Sequence, residues 1–143
     1  MKILVVNGPN LNLLGKRDKN IYTDKTYDDL LKMIGDFSKE NDLETEVFQS
    51  NHEGALIDRI QDAIDDGTEG IVINAGAFTH YSYAIRDALE CVSFTKVEVH
   101  ISNIYEREEF RHVSVLSPVC DLTIVGEGFE GYIHAMQEII SKK

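Results

Sequence analysis

The sequence is poor in cations, in cysteine and in long apolar runs. Fourteen Lys and Arg stand against 25 Asp and Glu, a formal net charge of −11 with a pI near 4.8. A surplus of that sign repels phosphate backbones, so no nucleic acid partner is expected. No run approaches the roughly 18 apolar residues of a transmembrane helix, so no membrane partner is expected either. The two cysteines, Cys91 and Cys120, show no metal or redox spacing. They are expected as buried thiols of a reducing cytosol. No small-residue cleavage site follows the first apolar run, so the expectation is a cytoplasmic protein without a signal peptide. The five histidines form no H-x-H or H-x-x-x-H pair and no cysteine cluster accompanies them, so no metal is expected at His52, His80 or His100.

What remains is an ordinary soluble composition, 43% hydrophobic and 27% charged over 143 residues. One domain spanning 1–143 is expected. The β-branched run Lys2–Asn7 reads as a central parallel strand, stopped by Gly8-Pro9. A long polar loop follows, of the kind that is usually functional, and residues 8–25 are read as an active-site loop and lid. Thr26 with Asp29 signals a capped helix to about Asn41, with Leu30, Leu31, Ile34 and Phe37 facing inward. Strands at Thr45–Ser50, Ile71–Asn74, Lys96–Ile101 and Asp121–Val125 alternate with further helices. The first holds Leu56, Ile57, Ile60, Ala63 and Ile64 inward and stops at Gly67. The others run from Ser82 to Cys91 and from Phe129 to Ser141. Five strands alternating with helices predict an α/β, flavodoxin-like three-layer sandwich with a five-stranded parallel sheet in the order 2-1-3-4-5. The site is then expected at the carboxyl ends of the strands, in the loops after Asn7, Ser50, Asn74, Ile101 and Val125.

The segment 98–111, E-V-H-I-S-N-I-Y-E-R-E-E-F-R, carries the chemistry. A period of two puts Glu98, His100 and Ser102 on one side of an otherwise apolar strand. Glu98 can orient the His100 imidazole, as a satisfied core pair or as a working one. Arg107 and Arg111, four apart, would share a face on a helical turn. Such a polar ladder is costly to bury unless an anion binds beside it. Asn10 and Asn74 at strand ends suit a hydroxylated ligand or an enolate, although asparagine also serves turns. Tyr22 and Arg17 share the first loop, where Tyr22 is either an exposed aromatic or a phenol made acidic by guanidinium neighbours. The hexad Gly126-Glu127-Gly128-Phe129-Glu130-Gly131 has a dinucleotide-binding spacing, but only 12 residues follow it and its glutamates repel a pyrophosphate. It reads as a tight turn before a closely packed helix. A phospho-receiver needs acidic residues where Asn7, Gly8 and Asn74 stand, and no Walker pattern is present.

In order along the chain, N-G-P-N-L-N-L-L-G at 7–15, Q-S-N-H-E-G at 49–54, I-N-A-G-A-F-T-H at 73–80 and E-V-H-I-S-N at 98–103 resemble the type II 3-dehydroquinate dehydratases. R-E-E-F-R at 107–111, L-S-P-V at 116–119 and G-x-G-x-x-G-Y at 126–132 extend the resemblance nearly end to end. It implies reversible anti dehydration of 3-dehydroquinate to 3-dehydroshikimate in the shikimate pathway, without metal, Schiff base or other cofactor. Tyr22 would be the base, Arg17 would hold it as phenolate, and Asn10 would stabilise the enolate through a water. His100 would be the acid and Glu98 its orienter. Asn74, Ser102 and Ile101 would take the carboxylate side, His80 and Arg111 the ring hydroxyls, and Arg107 would help assemble the lid. Asp87 would reach a neighbouring subunit's site in a homododecamer built from trimers. One departure stands out: the family's R-E-P-x-x-Y-G is Arg17-Asp18-Lys19-Asn20-Ile21-Tyr22-Thr23 here, without the proline and the glycine but with the Arg-to-Tyr spacing kept.

Overall fold

A computed structural model of the chain describes residues 1–16 and 25–143. Its strands are β1 (Lys2–Asn7), β2 (Glu44–Gln49), β3 (Gly70–Asn74), β4 (Thr95–His100) and β5 (Leu122–Val125). All pair in parallel in the order β2-β1-β3-β4-β5, as the alternation of elements predicts. The helices are α1 (Tyr27–Glu40), α2 (Glu53–Asp62), α3 (Tyr83–Glu90) and α4 (Glu130–Ser141).

Strand periodicity sorts the core into two layers. Ile3, Val5, Val72, Val97, Val99 and Ile124 face α1 and α4, meeting Leu30, Ile34, Tyr132, Met136 and Ile139. Leu4, Val6, Ile71 and Ile73 face α2 and α3, meeting Leu56, Ile60, Ile85 and Leu89. The α1 start is the expected capping box: Thr26 accepts from the Asp29 N–H while the Asp29 carboxylate accepts from the Thr26 N–H.

Four expectations shift. Leu31 is exposed, because α1 turns Leu30, Ile34 and Ser38 inward and leaves Leu31 on its flank. Ile64 is exposed because α2 ends at Asp62, short of its turn. Cys91 caps the end of α3 and is exposed, and Cys120 is only half-buried, so neither is a fully buried thiol. Burial nonetheless pushes the Cys120 thiol up to about 12, which leaves it protonated and inert.

Two close approaches fix the strand ends. A Cβ on Gly8 would lie 2.3 Å from the Ala75 carbonyl oxygen, so the loops leaving β1 and β3 touch backbone to backbone. Gly126 and Gly128 have φ of 75° and 62°, and their N–H groups donate to the carbonyls of His100 and Ile101 at 3.1 Å each. The glycine hexad is therefore a turn that braces the end of β4. Its last member, Gly131, lets α4 lie against Val99 and Ile124.

Candidate active site

The carboxyl ends of β1, β3 and β4 open into a cavity of about 110 Å³. Among the described residues, Pro9, Asn10 and Leu11 line it after β1, and Asn74, Gly76, Ala77 and His80 after β3. His100, Ile101, Ser102, Ile104, Arg107 and Arg111 close it from β4 onward. Asn10, Asn74, His80, His100, Ile101, Ser102, Arg107 and Arg111, singled out from sequence, thus meet in one place. Glu98 lies directly behind His100. Asp87 sits on the exposed face of α3, outside the cavity. Arg17 and Tyr22 lie outside the described residues. The loops after β2 and β5, expected to line the site, brace it instead. Asn51 accepts from the Asn10 N–H at 3.0 Å, and Gln49 donates to the Gly8 carbonyl at 3.1 Å. His52 is exposed and away from the cavity.

The arginines do not share a helical turn as expected. Short 3₁₀ turns at Ile104–Glu106 and Glu109–Arg111 flank an extended Arg107 (φ −102°, ψ −166°), and this path still brings both side chains to the cavity. Their guanidinium groups bring cationic donors to the cavity of an acidic protein. Arg111 is held by Glu108 (Nε to Oε2, 2.5 Å) and lies 4.6 Å over the Phe110 ring.

Glu98 is fully buried and His100 is 5% exposed. The His100 Nε2–H donates to Glu98 Oε2, which leaves Nδ1 as the ring nitrogen for the cavity. Three hydroxyls complete the carboxylate's shell. Ser114 donates to Oε2 at 2.8 Å, and Ser117 and Thr123 donate to Oε1 at 2.8 and 3.3 Å. Burial pushes this carboxyl up, but the hydrogen bonds from His100, Ser114 and Ser117 and the imidazole's charge outweigh it, so the group is held below the ordinary carboxylate value. A buried, ionised carboxylate behind a histidine fixes the tautomer and gives an imidazolium its counter-charge.

His80 is the complementary case. Its Nδ1–H donates to the Val113 carbonyl at 2.8 Å, which leaves Nε2 as an acceptor. Burial lowers its pKa, the Val113 bond opposes this, and the nearby charges of His100 and Arg111 lower it further. His80 is therefore neutral at neutral pH, suited to accept from a hydroxyl rather than to bind an anion.

Sequence reasoning missed the hydroxyl cage. Thr123 had a signal, since strand register sets it beside Glu98. Ser114 and Ser117 come from an aperiodic segment whose path no pattern announces.

Residues 1–140 match the family described as dehydroquinase class II. A Thermotoga petrophila protein named 3-dehydroquinate dehydratase is 63% identical over 143 residues, covering all of this chain and 96% of the relative. The crystal structure of the type II dehydroquinase from Butyrivibrio crossotus superposes with a TM-score of 0.97 at 61% identity, over 98% of this chain and 97% of that one. The type II dehydroquinase from Propionibacterium acnes gives a TM-score of 0.94 at 44% identity, over 98% and 96% of the two chains. The cavity at the ends of β1, β3 and β4 is thus that of a chain belonging to the class II dehydroquinase family.

Proposed function

We propose that this protein is a lyase that dehydrates 3-dehydroquinate reversibly to 3-dehydroshikimate, in the shikimate pathway of aromatic amino-acid biosynthesis. The observation that carries the reading is the buried Glu98–His100 pair opening on a cavity ringed by Asn10, Asn74, Arg107 and Arg111. The reaction needs a base for an α-proton, a group to stabilise the enolate oxygen and an acid for the departing hydroxyl. Tyr22, held as phenolate by Arg17, removes the C2 proton, and its electron pair moves onto the carbonyl oxygen. Asn10, through a water, stabilises that enolate. As the enolate collapses, the C1–oxygen bond breaks and His100 protonates the oxygen, releasing water. Glu98 holds the resulting change of charge on the imidazole.

Asn74, Ser102 and the Ile101 backbone take the carboxylate, His80 and Arg111 take ring hydroxyls, and Arg107 helps assemble the lid. Anti elimination requires acid and base on opposite faces of the ring, which an acid fixed at a strand end and a base on the first loop would supply. Asp87, outside its own cavity on α3, reaches a neighbour's site in a cytoplasmic homododecamer built from trimers. Light scattering reads that assembly directly, and a monomer at assay concentration refutes it. The activity is tested by adding 3-dehydroquinate to purified protein and following the conjugated enone by ultraviolet absorbance. Folded protein that produces no enone overturns the assignment.

A further inference from the structure

Below the cavity, four side chains from distant parts of the sequence form a buried polar chain. The Gly76 N–H donates to Asn74 Oδ1 at 3.2 Å, and Asn74 Nδ2 donates to the Tyr132 hydroxyl oxygen at 3.0 Å. The Tyr132 O–H donates to Asn7 Oδ1 at 2.6 Å, and Asn7 Nδ2 donates to the Tyr27 hydroxyl oxygen at 3.2 Å. Tyr132 and Asn7 are fully buried and Asn74 is 4% exposed.

The direction of every bond follows from one end. A backbone N–H can only donate, so Gly76 forces the Asn74 carbonyl oxygen toward itself and the NH₂ toward Tyr132. Tyr132 must then accept with its oxygen and donate its hydrogen onward, and Asn7 supplies the acceptor. Burial pushes the Tyr132 phenol up, so it keeps that hydrogen at any pH of interest. Asn74 has two Nδ2 hydrogens, one of which is spent on Tyr132. The other is left over from that bond, on a side chain that lines the cavity.

We propose that Tyr132, with Asn7 behind it, is a positioning residue that completes, with the Gly76 N–H, a two-point lock on the Asn74 amide, so the cavity meets an N–H donor and never the carbonyl oxygen, which selects a carboxylate over its neutral isosteres. This rests on the reading above that Asn74 faces the substrate carboxylate. Nothing else on Tyr132 or Asn7 reaches the cavity, so they act only through Asn74. The chain also explains polar groups in the core, since a Phe at position 132 and a Leu at position 7 would fill similar volumes without hydrogen bonds to satisfy.

The test is Tyr132→Phe, which removes one oxygen and keeps the ring. Without that bond the Asn74 amide is held only by the Gly76 N–H, so its Nδ2 hydrogens are no longer fixed toward the cavity. The expected result is a roughly tenfold rise in KM with kcat within about twofold, as for lost uniform binding. A competitive cyclohexene carboxylate and its carboxamide supply the readout that a merely structural role leaves alone. Wild type prefers the carboxylate, and the variant loses most of that preference. An unchanged KM and an unchanged inhibitor ratio overturn the proposal, as does a fall in kcat with both retained. Wild-type protein that gives no turnover refutes the dehydratase reading instead, and the two failures are therefore distinct. Should the variant not fold, ¹⁵N-labelled wild type answers the same question. One Asn74 side-chain hydrogen should be protected and indifferent to the carboxylate inhibitor while its twin shifts, and two hydrogens moving together refute the lock.

Discussion

Glu98→Gln isolates a single charge. The four donors to Glu98 divide evenly: His100 and Ser114 on Oε2, Ser117 and Thr123 on Oε1. An amide offers one acceptor and one donor in the same shape. The His100 Nε2–H and Ser114 both need the oxygen, so the NH₂ faces Ser117 and Thr123. Those hydroxyls lie 3.1 Å apart and can rotate to accept from it. Nearly every hydrogen bond survives, and what is lost is the charge of their acceptor, felt most at the His100 bond. A hydrogen bond to a charged group contributes about 1.5–3 kcal/mol against about 0.5–1.5 for a neutral one. The difference, roughly 1–1.5 kcal/mol, falls on the step in which His100 changes charge and lowers kcat about tenfold. Melting should move little, by roughly 3–4 °C for each kcal/mol of stability lost. Glu98→Ala is the contrast: it strands the His100 N–H and three hydroxyls beside a void, at about 3–5 kcal/mol, and should melt well below wild type. The assay is enone absorbance for kcat and KM, with thermal unfolding of the same preparations. If Glu98→Gln keeps kcat within twofold, the carboxylate's charge is not used in the reaction. If it melts as early as Glu98→Ala, the re-pairing of Ser117 and Thr123 is wrong.

Three further outcomes follow from the geometry. Tyr22→Phe should lower kcat by about 10²–10⁴ while a substrate-like inhibitor still binds. Near-normal turnover would show that the base lies elsewhere. Gly8→Ala sets a methyl group 2.3 Å from the Ala75 carbonyl oxygen, a backbone atom that cannot step aside. Overpacking of this kind costs about 1–3 kcal/mol and prises the Asn10 loop off β3, so melting temperature and turnover should fall together. An unchanged melt would mean that the two loops separate freely. Acid should also destabilise the protein in a definite way. Glu98 is held below its ordinary 4.5, and Asp66, despite partial desolvation, is held below 3.8 by Thr68 and Arg59. Their contribution is present above those values and is lost as pH falls through the depressed ones. Wild type should lose melting temperature below about pH 4.5 more steeply than Glu98→Gln, and parallel curves would refute the assignment.

Much of the fold was legible because it rests on local rules. Strands β1 and β3 are buried on both faces and therefore read as unbroken apolar runs. The capping box at Thr26 is written in the residues themselves, whereas α2 ends at Asp62, before the stop read at Gly67, and Gly67 (φ 88°) closes the turn that follows. Boundaries slipped where burial is partial. Strand β2, an edge strand with alternating exposure, runs one residue earlier than its pattern suggests. The site was legible as far as strand ends carry it, since Asn10, Asn74, His100 and Ser102 stand at the ends of predicted strands or just beyond them. Contacts that need the tertiary path were not. Asn7 and Tyr132 lie 125 positions apart, and only the packing of α4 on the sheet brings them together.

The place of Glu98 in the sheet connects these pieces. On the face toward α2 and α3, β1 and β3 carry Leu4, Val6, Ile71 and Ile73. The matching register on β4 carries Glu98 beside Ile73, and His100 two residues on. An apolar pair there would continue the core at no electrostatic cost, and replacing buried ionic pairs by hydrophobic ones is often neutral or stabilising. Stability alone therefore does not account for the pair. Having placed a carboxylate in the sheet, the chain needs donors where the helices would otherwise supply methyl groups. The 112–120 segment crosses that face and provides Ser114 and Ser117, with Leu116 buried between them. Its hydroxyls thus answer a buried charge rather than solvent. Ser117→Ala, Ser114→Ala and Thr123→Val are then linked through one carboxylate, and their effects should be non-additive in His100-dependent turnover.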